Sequence, residues 1–233
     1  MGKIVLSLVL PAHNEAARLP KAVRAAEAVL HGIPHEILIA EDGSSDGTVT
    51  VARQLATRNR HVRMFSFKER LGRGRAVGRA FVRARGVYVG FMDADLATDP
   101  RALLAAIAAL RENDVVVGSR YAQGSVASRT PGRQVASRSF NALVRYALGS
   151  QVRDHQCGFK FFRRSVALKL CKEARATHWF WDTEILVLAQ RQGMRVKEIP
   201  VRWAEKPQGS KVSVFRDSVK MARDVLELRR RLR

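Results

Sequence analysis

The sequence contains no uninterrupted apolar run of about 18 residues, the length a helix needs to cross a bilayer. No signal-peptide pattern precedes the first apolar run, so we expect a protein without a transmembrane helix. Only two cysteines occur, Cys157 and Cys171. They are too few for a disulfide framework, and neither has a metal-ligating companion at suitable spacing. A reducing, cytoplasmic setting is therefore expected.

Acidic residues are also scarce relative to basic ones. The 233 residues include 21 acidic and 42 basic side chains, which gives a formal net charge of +21. This surplus predicts an anionic partner: nucleic acid, a phosphorylated ligand or an acidic membrane surface. Aromatic residues make up only 7% of the chain, and no nucleic-acid recognition motif is present. A basic nucleic-acid-binding module is thus a distant alternative, and we expect no nucleic-acid partner.

What is present is a regular alternation of short apolar runs and helical patterns. The runs predict strands at 4–10, 36–40, 62–67, 88–92 and 115–118. The segments between them predict helices at 15–30, after an N-cap at Ser45 or Asp46, at 73–85 and at 100–110. Strand–helix units in series indicate an α/β fold with a mostly parallel, Rossmann-like sheet flanked by helices.

The second half of the chain is less regular. A loop follows Arg120, and later patterns predict helices at 134–148, 163–173 and 182–193, a strand at 195–201, and a basic amphipathic helix from about Val214. We expect a single catalytic domain over 1–213 and this helix over 214–233. Its apolar stripe either docks on the domain or lies on an anionic membrane surface, and its basic end favours the membrane. The protein would then be peripheral on the cytosolic face.

Polar residues follow each of the first four predicted strands, in the segments PAHNE (11–15), EDGSSDGT (41–48), ERLGRGRA (69–76) and DADLATD (93–99). In open α/β sheets, ligands bind outside the carboxyl ends of the strands. Carboxylates, glycines and basic residues in one crevice suit a nucleoside diphosphate with a metal ion. Asp93 and Asp95 would hold Mg²⁺ or Mn²⁺, which prefer oxygen ligands.

Each of these segments has a simpler explanation when taken alone. An Asp-x-Asp pair is common in solvated loops, and EDGSSDG is typical of a turn with a helix cap. Four such segments in register with strand ends favour the ligand site.

The segments LPAHNEAARLP, EDGSSDGT, GRGRAVGRAF, FMDADLAT, GSRY, DHQCGFKFFRR, FWDTEIL and GSKV together resemble family 2 glycosyltransferases of the GT-A fold. The similarity is strongest to dolichyl-phosphate or polyprenyl-phosphate hexose synthases and spans about residues 4–228. It implies an enzyme that moves glucose from UDP-glucose, or mannose from GDP-mannose, to a lipid phosphate with the help of Mg²⁺ or Mn²⁺.

The resemblance also implies roles for individual residues. The nucleotide-sugar site would comprise Pro11, Ala12, Asn14, Glu15, Asp42, Gly72, Gly74, Asp93, Ala94 and Gln156. Within this site Asp42 would receive the base, and the two glycines would let the third loop approach the nucleotide. The acceptor phosphate would be held by Arg120, Arg133 and Ser137. The catalytic set would be Asp93, the metal ligand Asp95, Asp182, Glu184 and Lys211.

The sequence departs from the family pattern in places. Ala97 stands where many mannosyl members have glutamine, which leans toward the glucosyl branch. Glu41 and Arg73 replace the usual Asp and Lys while keeping their charges. Asp182 and Glu184, two residues apart, point to different faces of a helix, so one of them is a structural candidate.

The chemistry implied by the resemblance is direct attack by the lipid phosphate with inversion, giving a β-linked product. A phosphate monoester with a second pKa of about 6 is already largely dianionic at neutral pH and needs no strong general base. The main alternative is an enzyme of the same fold with a soluble hydroxyl acceptor, which would need one.

Overall fold

The computed structural model describes residues 3–205 and 214–232. Its main sheet has seven strands in the order β3-β2-β1-β4-β7-β5-β8. The strands are β1 (Leu6–Ala12), β2 (His35–Asp42), β3 (Val62–Phe67), β4 (Tyr88–Met92), β5 (Val115–Ser119), β7 (Phe159–Arg163) and β8 (Val196–Pro200). All pairings are parallel except those of β7, which is antiparallel to both β4 and β5. The predicted mostly parallel α/β fold is confirmed.

Eight helices accompany the sheet within the described residues. They are α1 (Leu19–Leu30), α2 (Thr48–Arg58), α3 (Arg73–Arg83), α4 (Ala102–Ala109), α5 (Pro131–Leu148), α6 (Arg164–Glu173), α7 (Trp181–Arg191) and α8 (Val214–Arg231). A small two-stranded sheet pairs β6 (Val126–Ser128) with β9 (Arg202–Ala204). None of the helices in the described part of the chain is long and apolar enough to cross a membrane.

Alternating side chains place hydrophobic residues on both faces of the sheet. Leu8 of β1 joins a cluster with Leu30 of α1 and Leu103 of α4, whereas Val9 joins a cluster with Phe81 of α3 on the other face. Both faces are therefore buried, which explains why these strands are continuous apolar runs in the sequence.

Several predicted boundaries were wrong. Helix α1 begins at Leu19 rather than residue 15, and Pro20 lies in its first turn. Proline is tolerated there because the N–H groups of a first turn have no acceptor within the helix. The N-cap of α2 is Gly47, not Ser45 or Asp46, although Oδ1 of Asp46 accepts a hydrogen bond from the Thr48 N–H at 2.9 Å. Helix α5 begins at Pro131, three residues before its predicted start.

The final helix docks on the body of the protein. Val225 and Leu228 are buried in a cluster with residues of α5 and α7, including Val144 and Val187. This part of the apolar stripe therefore packs against protein. The predicted domain boundary at residue 213 lies outside the described residues.

Candidate active site

The loops after β1 and β2 are joined by reciprocal hydrogen bonds around Asn14. Its backbone adopts a positive φ of 55°, which asparagine tolerates better than most residues. The Asn14 N–H donates to Oγ of Ser44 at 3.0 Å, and Oδ1 of Asn14 accepts from the Ser45 N–H at 2.9 Å. The Glu15 N–H donates to Oγ1 of Thr48 at 2.8 Å. The predicted site residues Asn14 and Glu15 thus help to hold two strand-end loops together.

The strand ends below these loops are tightly paired. Pro11 and Ala12 end β1 and lie opposite Ala40 and Glu41 of β2. Ala12 is 2% exposed, so its side chain is buried, and contact of these two residues with a nucleotide sugar stays a prediction.

Asp42 anchors the loop that precedes α3. Its two carboxylate oxygens accept hydrogen bonds from the N–H groups of Leu71 and Gly72 at 2.6 and 3.0 Å. Asp42 is only 4% exposed, so this contact is buried. A contact between Asp42 and a nucleotide base stays a prediction, whereas its role in positioning the loop is visible in the structure.

Close packing gives Gly72 and Gly74 a role that does not depend on a ligand, and approach of their loop to a nucleotide stays a prediction. Gly72 has a φ of 92°, and a Cβ there would lie 2.5 Å from the carbonyl oxygen of Thr177. A Cβ at Gly74 would overlap the side chain of Trp181. Both glycines therefore permit close packing against the segment that opens α7, and this packing already requires glycine without any ligand.

A compact charged cluster occupies the carboxyl end of β4. The Arg73 guanidinium donates to Oδ1 of Asp93, at 2.6 Å from Nη2, and also to Asp182. The Lys160 Nζ donates to Oδ1 of Asp182 at 2.8 Å and to the carbonyl oxygen of Cys157 at 2.6 Å. The structure thus brings the predicted residues Asp93 and Asp182 together through Arg73.

The electrostatics of this cluster favour a bound cation. Burial alone would lower the pKa of Arg73, but Asp182 and Asp93 raise it, so the guanidinium stays charged. Desolvation raises the pKa of Asp93, Arg73 opposes this, and the nearby Asp95 carboxylate adds to the increase. Because 36% of the Asp93 side chain is exposed, solvent reduces this rise in the pKa of Asp93. By formal charge, the three carboxylates outnumber the two cationic groups of this cluster by one.

The donor set fits a hard divalent cation. Asp95 Oδ1 accepts from the Ala97 N–H at 2.9 Å, in a turn where Leu96 has a φ of 55°. Opposite Asp93 lies Gly158, where a Cβ would overlap the Asp93 carboxylate. The space beside this carboxylate thus depends on a residue without a side chain. Asp93 and Asp95 as metal ligands remain predictions that this geometry supports.

Ala94, the residue between the two aspartates, is 4% exposed. It belongs to the hydrophobic cluster that contains Leu103 of α4. This packing fixes the backbone of the aspartate loop on the sheet.

Each of the three predicted acceptor residues has a defined polar partner. Arg120 is fixed by Asp154, with Nη2 and Nε 2.6 and 2.7 Å from its two carboxylate oxygens. Ser137 Oγ accepts a hydrogen bond from the Tyr121 hydroxyl at 2.8 Å. Arg133 pairs with Glu205. Arg120 and Ser137 thus meet through Tyr121, whereas the guanidinium of Arg133 is engaged with a carboxylate.

A cavity of about 530 Å³ opens beside these residues. Its lining contains four arginines and no acidic residue: Arg120, Tyr121, Ala122, Arg138, Asn141, Ala142, Arg145 and Arg153. Such a lining suits an anionic group.

The remaining predicted residues have other surroundings. The Glu184 carboxylate accepts from the N–H groups of Arg175 and Ala176 at 2.9 and 2.7 Å and pairs with Arg231 of α8. These contacts favour a structural role for Glu184. The Gln156 side chain contacts the sulfur of Met221 at 3.4 Å. Lys211 lies outside the described residues.

Sequence reasoning missed two residues of the charged network, Lys160 and Asp154. Both are completely buried and each forms an ion pair, with Asp182 and Arg120 respectively. The available signal was a lysine within the apolar run FKFF, since a buried charge in a strand requires a partner.

A sheet of this order, with carboxylates grouped at its carboxyl edge, defines a GT-A-type glycosyltransferase fold. Solved structures of this class superpose on the chain. Mannosyl-3-phosphoglycerate synthase from Rubrobacter xylanophilus has a TM-score of 0.72 at 20% identity, covering 99% of this chain and 74% of that one. Glucosyl-3-phosphoglycerate synthase from Mycobacterium tuberculosis, crystallised with Mn²⁺, UDP and glucosyl-3-phosphoglycerate, has a TM-score of 0.69 at 19% identity, covering 97% and 78%.

The chain belongs to Glycosyl transferase family 2, whose sequence profile matches residues 7–171. Glycosyltransferase AglD of Haloferax volcanii is 44% identical over 96% of this chain, which spans only 36% of that protein. The dolichyl-phosphate beta-glucosyltransferase of Saccharomyces cerevisiae is 33% identical, over 97% of this chain and 75% of that protein. The enzyme of the same name from Drosophila melanogaster is 34% identical, over 94% of this chain and 73% of that protein. The predicted family is confirmed.

Proposed function

We propose that the chain transfers a hexosyl group from a nucleotide sugar to dolichyl or another polyprenyl phosphate, with inversion at the anomeric carbon. UDP-glucose is the favoured donor and GDP-mannose the alternative. The observation that carries the proposal is the cluster of Asp93, Asp95 and Asp182 at the end of β4, in a chain this similar to dolichyl-phosphate beta-glucosyltransferases.

On the donor side, the residues act by positioning and by charge. A divalent cation bound by Asp93 and Asp95 would neutralise charge on the leaving diphosphate. Arg73 holds the Asp93 carboxylate through two hydrogen bonds and ties it to Asp182. Because these groups are already fixed, little reorganisation is needed when charge develops.

On the acceptor side, the arginine-lined cavity suits a lipid phosphate. Arg138, Arg145 and Arg153 are lining residues without an acidic neighbour in that lining. Arg120, which also lines the cavity, is paired with Asp154. A phosphate dianion would attack without prior loss of a proton, so a general base is not required at this position.

The membrane surface is the proposed source of the acceptor. Helix α8 ends in Arg229, Arg230 and Arg231, of which Arg231 pairs with Glu184. Since part of its apolar face packs on α5 and α7, attraction to anionic lipid would come mainly from charge. We propose that the protein acts as a peripheral protein at the cytosolic face.

The experiment is transfer of radiolabel from UDP-glucose or GDP-mannose to a short polyprenyl phosphate, with Mn²⁺ or Mg²⁺. We expect a metal-dependent, organic-extractable product from UDP-glucose. Asp95→Asn should abolish it. Asp99→Asn is the matched control, because Asp99 lies in the same loop but pairs with Arg101.

Other outcomes would revise the proposal at defined points. Label from GDP-mannose alone would change the sugar. Donor turnover with a soluble hydroxyl acceptor, and no lipid product, would contradict the lipid-phosphate acceptor. Absence of donor binding in both wild type and Asp95→Asn would contradict the nucleotide-sugar site itself.

A further inference from the structure

Three metal-ligating side chains meet at the amino end of the sheet. Glu27 lies in α1, His35 is the first residue of β2, and His61 directly precedes β3. Their ligating atoms all lie within 4.8 Å of one another. Because β2 runs from His35 to Asp42, this cluster lies at the opposite edge of the sheet from the carboxylate site. Nothing in the proposed glycosyl transfer uses it.

His35 turns a buried ring nitrogen toward this cluster. Its Nδ1 lies 2.7 Å from the carbonyl oxygen of Ile33, which can only accept, so Nδ1 carries a proton. Its Nε2 is buried and has no hydrogen-bond partner, in a residue 8% exposed. Yet Nε2 lies 3.4 Å from Oε2 of Glu27. In the neutral imidazole, two electron-pair acceptors therefore face each other, and a cation between them relieves the repulsion.

The two distances from Glu27 to the histidine nitrogens suit a tetrahedral ion. Oε2 of Glu27 lies 3.4 Å from Nε2 of His35 and 3.5 Å from Nδ1 of His61. Ligands at about 2.0–2.1 Å from a tetrahedral zinc ion are about 3.3–3.4 Å apart. These two distances match such a site, whereas Nε2 of His35 and Nδ1 of His61, which lie within 4.8 Å of each other, must approach to complete it.

Surrounding hydrogen bonds orient the same side chains. Nδ2 of Asn59 donates to Oε1 of Glu27 at 2.8 Å, which leaves Oε2 facing the histidines. Oδ1 of Asn59 accepts from the His61 N–H at 2.9 Å. The bond from His35 to Ile33 is of the kind that fixes the tautomer of metal-binding histidines.

The geometry points to a zinc-class cation site formed by Glu27, His35 and His61. Two imidazoles and one carboxylate suit Zn²⁺ better than Mg²⁺, and three protein ligands leave a fourth position for water. The His61 side chain is 37% exposed, so this position opens to solvent. If Nδ1 of His61 binds the ion, Nε2 of His61 carries the proton. The Nε–H group of the exposed Arg60, which now lies 3.4 Å from Nε2, could then no longer donate to it and would have to move away. The ion would cross-link α1 to the starts of β2 and β3.

The test uses untagged, full-length protein, freed of metal with a chelator and labelled with ¹⁵N-histidine. Titration with ZnCl₂ is followed by calorimetry, and the imidazole nitrogens are followed by NMR. We expect one zinc per chain at this site, with shifts of Nε2 of His35 and Nδ1 of His61 and a rise in the melting temperature. His61→Gln and Glu27→Gln should each weaken binding at least about tenfold. His31→Gln, an exposed histidine outside the cluster, should not.

Asp95→Ala separates this site from the proposed catalytic metal site, and it should leave the histidine shifts unchanged. Unaltered zinc affinity in both His61→Gln and Glu27→Gln would overturn the inference. So would a His35 ring that is protonated at both nitrogens and does not respond to zinc, because that would identify an ordinary ion pair with Glu27. Failure here would leave the transfer assay unaffected.

Discussion

Nζ of Lys160 lies 2.8 Å from Oδ1 of Asp182, and the two side chains are 0% and 3% exposed. The other oxygen of Asp182 accepts from Arg73, which also holds Asp93. A buried lysine of the antiparallel strand β7 is thereby connected to the carboxylate at the end of β4. The ion pairs of the site thus extend from Asp93 at the surface to the buried Lys160. Changes to these residues should therefore affect both the geometry of the site and the stability of the fold.

Lys160→Met should therefore reduce both stability and transfer. It leaves Asp182 buried with one cationic partner, and removal of one member of a buried pair costs about 3–5 kcal/mol. Urea unfolding at pH 7 and the transfer assay measure the two effects. Lys172→Met, at an exposed lysine of α6, is the matched control and should change stability by less than about 0.5 kcal/mol.

A double variant makes this coupling explicit. Lys160→Met combined with Asp182→Asn should be less destabilised than the sum of the two single changes, because no unpaired charge is left. Strict additivity would show that the pair is not coupled.

Gly158→Ala should impair transfer by displacing the Asp93 carboxylate. The added Cβ overlaps that carboxylate, and a displacement of about 1 Å near reacting groups can lower the rate about 100-fold. The measurement is the rate of transfer together with Mn²⁺-dependent UDP binding by calorimetry. Gly132→Ala is the control, since nothing lies within 4 Å of its Cβ position. Equal rates in the two variants would refute the role assigned to Gly158.

Strands β1, β2 and β4 and the acidic loops after them could be predicted because burial on both faces leaves continuous apolar runs that end in polar turns. Strand β7 could not, because Lys160 interrupts its apolar run and its two neighbours, β4 and β5, are distant in sequence. The positive charge of Lys160, which makes the strand hard to recognise in the sequence, is paired with Asp182, 22 residues later. Only the tertiary fold shows that the two residues are partners.

The same limit applies to Gly72 and Gly74. A glycine-rich loop after a strand suggests approach to a phosphate, and the sequence does not show which neighbour requires the missing side chain. Here that neighbour is the segment from Thr177 to Trp181. Likewise, Glu27, His35 and His61 come together only because α1, β2 and β3 share one edge of the fold.

Gly74→Ala tests this packing explanation. Overlap with Trp181 should destabilise the protein by about 1–3 kcal/mol in urea unfolding. The tryptophan emission should change even without nucleotide. Unchanged stability combined with weaker UDP binding would instead support direct approach of the loop to a nucleotide.

Acid should destabilise the fold through His155. Desolvation is the main reason that the pKa of His155 is lowered to about 3, with Lys160 adding to the effect. Its Nδ1 lies 2.7 Å from Oδ1 of Asn141, and its Nε2 lies 2.8 Å from the Ser150 hydroxyl. The unfolded chain binds a proton below about pH 6.5, and the folded protein does so only near pH 3. Stability is therefore fully present above pH 6.5 and falls as the pH drops between these values.

The expected contribution of His155 is a slope of up to about 1.4 kcal/mol per pH unit in the free energy of unfolding. His155→Gln should lower stability at pH 7, because it disturbs the contacts with Asn141 and Ser150, and should flatten the slope between pH 6 and pH 4 by roughly this amount. Urea unfolding at several pH values measures both quantities. A slope identical in wild type and His155→Gln would contradict the assignment, because loss of packing alone shifts the curve without changing its pH dependence.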